Sequence, residues 1–311
     1  MQSAISNVRT QILVTICLVT LATPILRAKP RCPGSIASVT PRFVQRALIV
    51  VPVKINQKGP FDFMVDTGSQ VTIIDPLLAT QLDLKARGTV GLISVTSYSA
   101  ASSTVVDTLE AGSHVIEKSS LFVHDLGQIQ NADPRIRGVL GVNFLAHFNL
   151  TIDYNHKLFC LDETDVMGEK MRGERIHFET SRGAEAELPF TERLTIAVRL
   201  SGTGTRQIFL QLDSGSDGPI LYASRKEGMM PLLQRAVLRE GNISKAQRSF
   251  AVLPPQELRI GHDTWGNIPF VTPVSVGQDI PTMEEDGVLP TVLFHRIYIS
   301  FARRYVIFDP Q

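Results

Sequence analysis

Residues 46–69 read RALIVVPVKINQKGPFDFMVDTGS, and this stretch decides the fold because the chain contains it twice. Residues 193–216 read RLTIAVRLSGTGTRQIFLQLDSGS, and the two align without a gap when Asp66 is laid on Asp213, an offset of 147 (213 − 66). Arg46 then falls on Arg193, Ile49 on Ile196, Val51 on Val198 and Val65 on Leu212. A second pair, GVLGVNFLAHFNLTI from Gly138 and GVLPTVLFHRIYISF from Gly287, repeats at an offset of 149 (287 − 138). Registers this close mean a chain built from two similar halves.

The repeated stretches read as strands. Ile49, Val51, Val53 and Ile55 alternate with other residues, the period-two pattern of a half-buried strand. Residues 61–65 run apolar into Asp-Thr-Gly, and residues 208–212 run apolar into Asp-Ser-Gly. Turns rich in Gly, Ser and Pro lie between, and short helices are expected only at 75–81, 144–148 and around 223–240. The expected organisation is all-β. Residues 29–165 form an N-terminal lobe, residues 166–185 a charged, Gly-containing linker, and residues 186–311 a C-terminal lobe.

An apolar strand that ends in Asp-[Ser/Thr]-Gly-Ser holds its carboxylate at the tip of a rigid support. The hydroxyl of Thr67 or Ser214 can reach across to the other half. Gly68 and Gly215 let the backbone turn and approach the carboxylate, which accepts their N–H groups. Ser69 and Ser216 are expected to donate to the outer carboxylate oxygen. One such tripeptide is a weak signal, arising by chance in about one in ten chains of this length. Two copies at the same place in a repeated strand, each with a following Gly-apolar-apolar block, are far more specific. The plainer reading is two Asp-Gly turns that end ordinary strands. A pseudo-twofold axis between the halves would bring Asp66 and Asp213 together, and carboxylates that close share one proton.

On these residues the chain resembles the pepsin and retropepsin superfamily of aspartic peptidases. The matching residues are Asp66-Thr67-Gly68-Ser69 and Gly138-Val139-Leu140-Gly141 in the first half, and Asp213-Ser214-Gly215-Ser216 in the second. The resemblance spans roughly residues 43–311 and looks nearer to exported bacterial retropepsin-like proteins than to the large digestive enzymes. It implies a bilobal acid-protease (pepsin-like) fold, two pseudo-twofold related β-barrel lobes. It also implies an aspartic endopeptidase, a hydrolase that activates water with the Asp66/Asp213 dyad, acts on polypeptide, and needs no cofactor and no metal. Tyr98, in the Ser/Ala-rich segment 94–104, is the candidate for the family's flap tyrosine, the alternative being a plain surface loop. Two departures stand out. Pro290 replaces the family glycine after Leu289, and Asp217-Gly218-Pro219 follows Ser216 where the first half has an apolar run from Val71. Proline removes a donor and fixes φ, so the second loop is not a copy of the first.

Composition narrows the partners. Lys and Arg total 31 against 30 Asp and Glu, a net charge of +1, so no basic field points to nucleic acid or to a polybasic membrane contact. The seven histidines show no zinc spacing. Arg9 precedes an uncharged apolar run from Ile12 to Leu21, which reads as a signal peptide within residues 1–28, cut after Ala22 or Ala28. The run is short for a bilayer span, and an uncleaved signal anchor is the alternative. Export to a periplasmic or extracellular space follows. Cys17 would leave with the signal, and Cys32 and Cys160 would remain as an even pair expected to form a disulfide, the alternative being two separate buried thiols. About a dozen residues separate Ala28 from the first strand, too few for a cleft-filling prosegment. Three functions fit: a monomeric endopeptidase that uses both aspartates, a non-catalytic exported relative that grips peptide or protein, and a homodimer that uses Asp66 alone. The retained Asp213-Ser214-Gly215-Ser216 speaks against the third.

Overall fold

The computed structural model describes residues 32, 39–93, 98–179, 193–222, 229–243, 246–273 and 284–309. The expected signal peptide lies outside them. In the first lobe, β1 (Arg42–Val44) precedes the hairpin of β2 (Leu48–Ile55) and β3 (Lys58–Val65). Ile49, Val51, Val53 and Ile55 are fully buried on the core face of β2, as their alternation requires. The chain leaves β3 through Asp66-Thr67-Gly68-Ser69 and enters β4 (Thr72–Ile74), then β5 (Gly88–Ile93), β6 (Tyr98–Ala111) and β7 (His114–Val123). β8 (Ile136–Leu140) returns to the middle, parallel to β3 with Val65 opposite Leu140, and antiparallel to β4. The order is β1-β2-β3-β8-β4-β7-β6-β5, and β6 also pairs with β2, which closes the sheet into a barrel.

The chain then forms a hairpin of β9 (Asn149–Asp153) and β10 (Leu158–Asp162), followed by β11 (Arg175–Glu179), and enters the second lobe. There β12 (Thr195–Leu200) and β13 (Gln207–Asp213) repeat the first hairpin, and β14 (Ile220–Leu221) repeats β4. β15 (Val237–Ile243), β16 (Ala246–Val252), β17 (Gln256–Ile260), β18 (Asp263–Ile268) and β19 (Val271–Pro273) follow, then β20 (Gly287–Pro290). β20 lies parallel to β13 and antiparallel to β14, as β8 lies between β3 and β4. β6 and β7 run long and unbroken in the first lobe, whereas β16 and β17, and β18 and β19, divide the same paths in the second.

β21 (Arg296–Ser300) and β22 (Tyr305–Phe308) complete a sheet beneath both lobes, in the order β10-β9-β21-β22-β11. β9 and β21 pair antiparallel with Leu150 opposite Ile299. Those two residues are repeat mates at the offset of 149, so the pseudo-twofold axis passes between them. The architecture is the all-β bilobal acid-protease fold. One apolar core runs from Ile49 and Phe63 in the first lobe through Leu150 to Leu210 and Leu289 in the second.

Three local expectations change. The helix around 223–240 is, among the described residues, only the turn Met230–Leu233, and Val237 onward is β15, paired with β16 over seven residues. Cross-strand pairing there outweighs the helical propensity of its Leu, Arg and Glu residues. The short helix expected at 144–148 lies earlier, at Val142–Leu145, because it starts directly after Gly141. Within the 166–185 linker lie a helical turn, Val166–Lys170, and β11, which joins the base sheet to the second lobe by pairing with β22 and β12. Cys160, in β10, is disulfide-bonded to Cys32, which ties the start of the described chain to the base sheet. Among the described residues no helix is long and apolar enough to cross a membrane.

Candidate active site

β3 and β13 deliver Asp66 and Asp213 to the same point between the lobes, where the two side chains hydrogen-bond to each other. The supports are reciprocal. Thr67 Oγ1 donates to Leu212 O at 2.9 Å and accepts from Ser214 N–H at 3.0 Å. Ser214 Oγ donates to Val65 O at 2.9 Å and accepts from Thr67 N–H at 3.1 Å. All four bonds cross the lobe boundary and both side chains are fully buried, so neither aspartate can shift without breaking buried polar contacts.

Gly68 N–H and Ser69 N–H donate to Asp66 Oδ1 at 2.8 and 3.0 Å, and Gly215 N–H donates to Asp213 Oδ1 at 2.6 Å. Each glycine also sits against the opposite aspartate. A Cβ on Gly68 would lie 2.5 Å from Asp213 Cγ, and one on Gly215 would lie 2.6 Å from Asp66 Cγ. Only a residue without a side chain lets the carboxylates meet. Ser69 and Ser216 depart from expectation. Their hydroxyls donate to Val71 O at 2.8 Å and Gly218 O at 3.0 Å, and so brace the turns instead of the carboxylates. In each lobe that carbonyl lies only two residues on, which makes it the nearer acceptor.

Burial raises both carboxyl groups above the ordinary aspartate range. For Asp66, hydrogen bonds from Asp213, Gly68 and Ser69 oppose the rise. For Asp213, the neighbouring Asp66 charge adds to burial and pushes the group well above that range. The two carboxyl groups therefore titrate as a pair that shares one proton, with Asp213 pushed up more strongly than Asp66.

Pro290 and Pro219 reshape the second loop without opening it. In the first lobe Gly141 N–H donates to Thr72 Oγ1 at 3.1 Å, and a Cβ on Gly141 would fall 2.2 Å from Val71 O. The repeat mates of Thr72 and Gly141 are Pro219 and Pro290, so donor and acceptor are both gone. Beside Pro290, Thr291 Oγ1 instead pairs with the hydroxyl of Tyr154, which arrives from the end of β9 at 2.7 Å. Nothing in the repeat pattern pointed to Tyr154.

The dyad forms the floor of a cleft of about 390 Å³. The β5–β6 hairpin overhangs it through Val90, Gly91, Leu92 and Ser99, and Ser99 Oγ is 2.8 Å from His124 Nε2. Tyr98 begins β6, opposite Ile93, and its side chain lies outside the described residues. Arg193, Gln211 and Glu285 also line the cleft and escaped the sequence reading. Contrast between the two copies would have found two of them, since Gln211 is the mate of Met64 and Glu285 the mate of Ile136, whereas Arg193 repeats Arg46. Gln211 Nε2 donates to Gly68 O at 2.9 Å, a further bond across the lobes. No group of three or more His, Cys, Asp or Glu among the described residues could hold a metal ion.

Residues 51–144 match the aspartyl protease family. Among solved structures, the chain is similar to a retropepsin-like aspartic protease from Rickettsia conorii, with 20% identity over 40% of this chain and 86% of that one and a TM-score of 0.30. It is also similar to Basic 7S globulin from soybean, with 10% identity over 89% of this chain and 95% of that one and a TM-score of 0.48. No curated protein matches. The family match covers the Asp66 loop and β8, and the second lobe repeats that arrangement around Asp213. In its first lobe the chain is similar to the aspartyl proteases, and the second lobe is built to the same plan.

Proposed function

We propose that the protein is an aspartic endopeptidase, and the observation that carries this reading is the reciprocal clamp of Thr67 and Ser214 that holds Asp66 against Asp213. Asp66, ionised, takes a proton from a water held between the two carboxyl groups as the water oxygen attacks a peptide carbonyl. Asp213, protonated, donates to the developing oxyanion. The tetrahedral diol collapses as Asp66 passes its proton to the amide nitrogen and a diol hydroxyl returns a proton to Asp213, which breaks the C–N bond and restores both carboxyl groups. The residues involved are Asp66 and Asp213 as acid and base, with Thr67, Gly68, Ser214 and Gly215 positioning them. One chain supplies both aspartates, so a monomer suffices. Work in a periplasmic or extracellular space accords with the Cys32–Cys160 disulfide and the apolar N-terminal run.

The test is cleavage of reduced casein between about pH 3 and pH 7 by the wild type and by Asp66→Asn and Asp213→Asn separately. Each variant should lose activity by about 10³-fold or more. Loss in Asp66→Asn alone would mean that first lobes pair between two chains. A wild type that cuts nothing at any pH would favour the second reading, a binding protein that keeps the cleft. Replacement of the Thr72–Gly141 pair by two prolines beside Asp213 is the observation on that side.

A further inference from the structure

The two walls of the cleft are related by the pseudo-twofold axis and carry a valine at mated positions, Val139 and Val288, yet their buried chemistry differs at three other mated pairs. On the cleft side of the first-lobe sheet, Leu48, Val50, Met64, Leu126, Ile136 and Val139 form a buried apolar cluster with Ile73 and Ile129 packed against it. Val139, Leu126, Ile73 and Ile129 from this group reach the cleft. In the second lobe the mates of Leu48, Met64 and Ile136 are Thr195, Gln211 and Glu285, each less than a tenth exposed. Arg193 Nη1 donates to Glu285 Oε2 at 2.6 Å.

The first lobe shows that the architecture accepts hydrocarbon at these positions, and a buried ion pair is seldom more stabilising than a well-packed apolar one. The polar wall therefore answers to something other than stability. Its two charges are unequally placed. The Glu285 side chain is 3% exposed and that of Arg193 is 20% exposed, so the guanidinium is the partner that meets the cleft. Its planar fork of N–H donors suits a carboxylate. An extended peptide sends consecutive side chains to opposite sides, so the two residues that flank a bond held over the dyad face opposite walls.

We propose that the cleft selects polypeptide segments in which one residue beside the bond over the dyad is large and apolar and the other is acidic. The apolar side chain packs on the first-lobe wall of Ile73, Leu126 and Val139, and the acidic one meets Arg193. This rests on the reading that polypeptide lies across Asp66 and Asp213.

Binding separates the two ideas. Fluorescent octapeptides with Phe-Glu, Glu-Phe, Phe-Lys, Lys-Phe, Phe-Leu or Leu-Phe at the centre are titrated against Asp213→Asn protein by anisotropy. The wild type is tested for cleavage of the same six. In one of its two orders the acidic peptide should bind about tenfold more tightly than its leucine counterpart, the scale of one charge-assisted hydrogen bond. Arg193→Met in the same background should erase that difference. Because Arg193→Met leaves Glu285 buried without its ion-pair partner, a paired Arg193→Met, Glu285→Ile variant imports the first-lobe chemistry. It should turn the preference to leucine. Equal affinities, a preference for lysine or leucine in the parent, or no binding at all would overturn the proposal. Selective binding without wild-type cleavage would leave it standing and sink the peptidase reading, and cleavage without acidic preference would do the reverse.

Discussion

Pro219 and Pro290 occupy, in the second lobe, the two positions whose first-lobe counterparts Thr72 and Gly141 are joined by a hydrogen bond. Loss of both partners leaves no orphan, whereas loss of one leaves a buried group unpaired. Pro290→Gly alone should therefore destabilise the protein by about 1–3 kcal/mol, because the new N–H finds no hydroxyl on Pro219. Pro219→Thr added to it should recover most of that loss. Urea midpoints of the two variants measure the difference, and a neutral Pro290→Gly would show that the prolines are unconnected.

Thr67 and Ser214 should behave as one unit. Thr67→Val and Ser214→Ala each strand buried backbone groups, at about 1–3 kcal/mol apiece. The double variant should lose clearly less than the sum, since either change already breaks the shared clamp. Strict additivity in a denaturant cycle would mean that the hydroxyls act independently.

The Asp213 proton makes stability depend on pH. Its carboxyl lies well above the ordinary aspartate value of 3.8, so the folded chain keeps a proton that the unfolded chain gives up near that value. The folded state binds more protons, and this contribution to stability is present at low pH and lost as pH rises from about 3.8 through the raised folded value. Asp213→Asn removes this part of the slope. Its thermal midpoint relative to the wild type should be higher at pH 7 than at pH 4, and wild-type cleavage should fall on the alkaline side as Asp213 ionises. A midpoint difference that does not change with pH would place the proton elsewhere.

The disulfide closes a separation of 128 residues. On the chain-entropy account its loss costs about 4–5 kcal/mol. Cys32→Ser with Cys160→Ser should show this as a lower denaturant midpoint than that of the oxidised wild type, and dithiothreitol should bring the wild type to the same value. A difference below about 1 kcal/mol would mean that native contacts already hold the N-terminal segment to β10.

Much of the fold was legible because the repeat wrote it twice. Ile49, Val51 and Val53 on Ile196, Val198 and Leu200 carry the period-two pattern of the same hairpin, and Asp66 on Asp213 carries the axis. What stayed hidden depends on contacts between distant segments. The Ser69 hydroxyl turns to Val71 O because of local turn geometry that its residue type does not reveal. β15 looked helical in isolation, and only its pairing with β16 makes it a strand. Arg193 and Glu285 are 92 residues apart and form a pair only after the strands around Asp213 assemble.

The pairing of Leu150 with Ile299 on the axis has a consequence for how the molecule holds together. An isolated first lobe would present β9 as an open edge, and that edge would fit a second copy of itself in the same antiparallel register, Leu150 against Leu150. Such a union would weaken on dilution. In the single chain the second lobe occupies the place of that other subunit, and the covalent link sets its effective concentration. The tether also frees each half to change alone, since no mutation is imposed on both sides of the axis at once. A polar wall opposite an apolar one is open to a tethered pair and closed to a symmetric dimer.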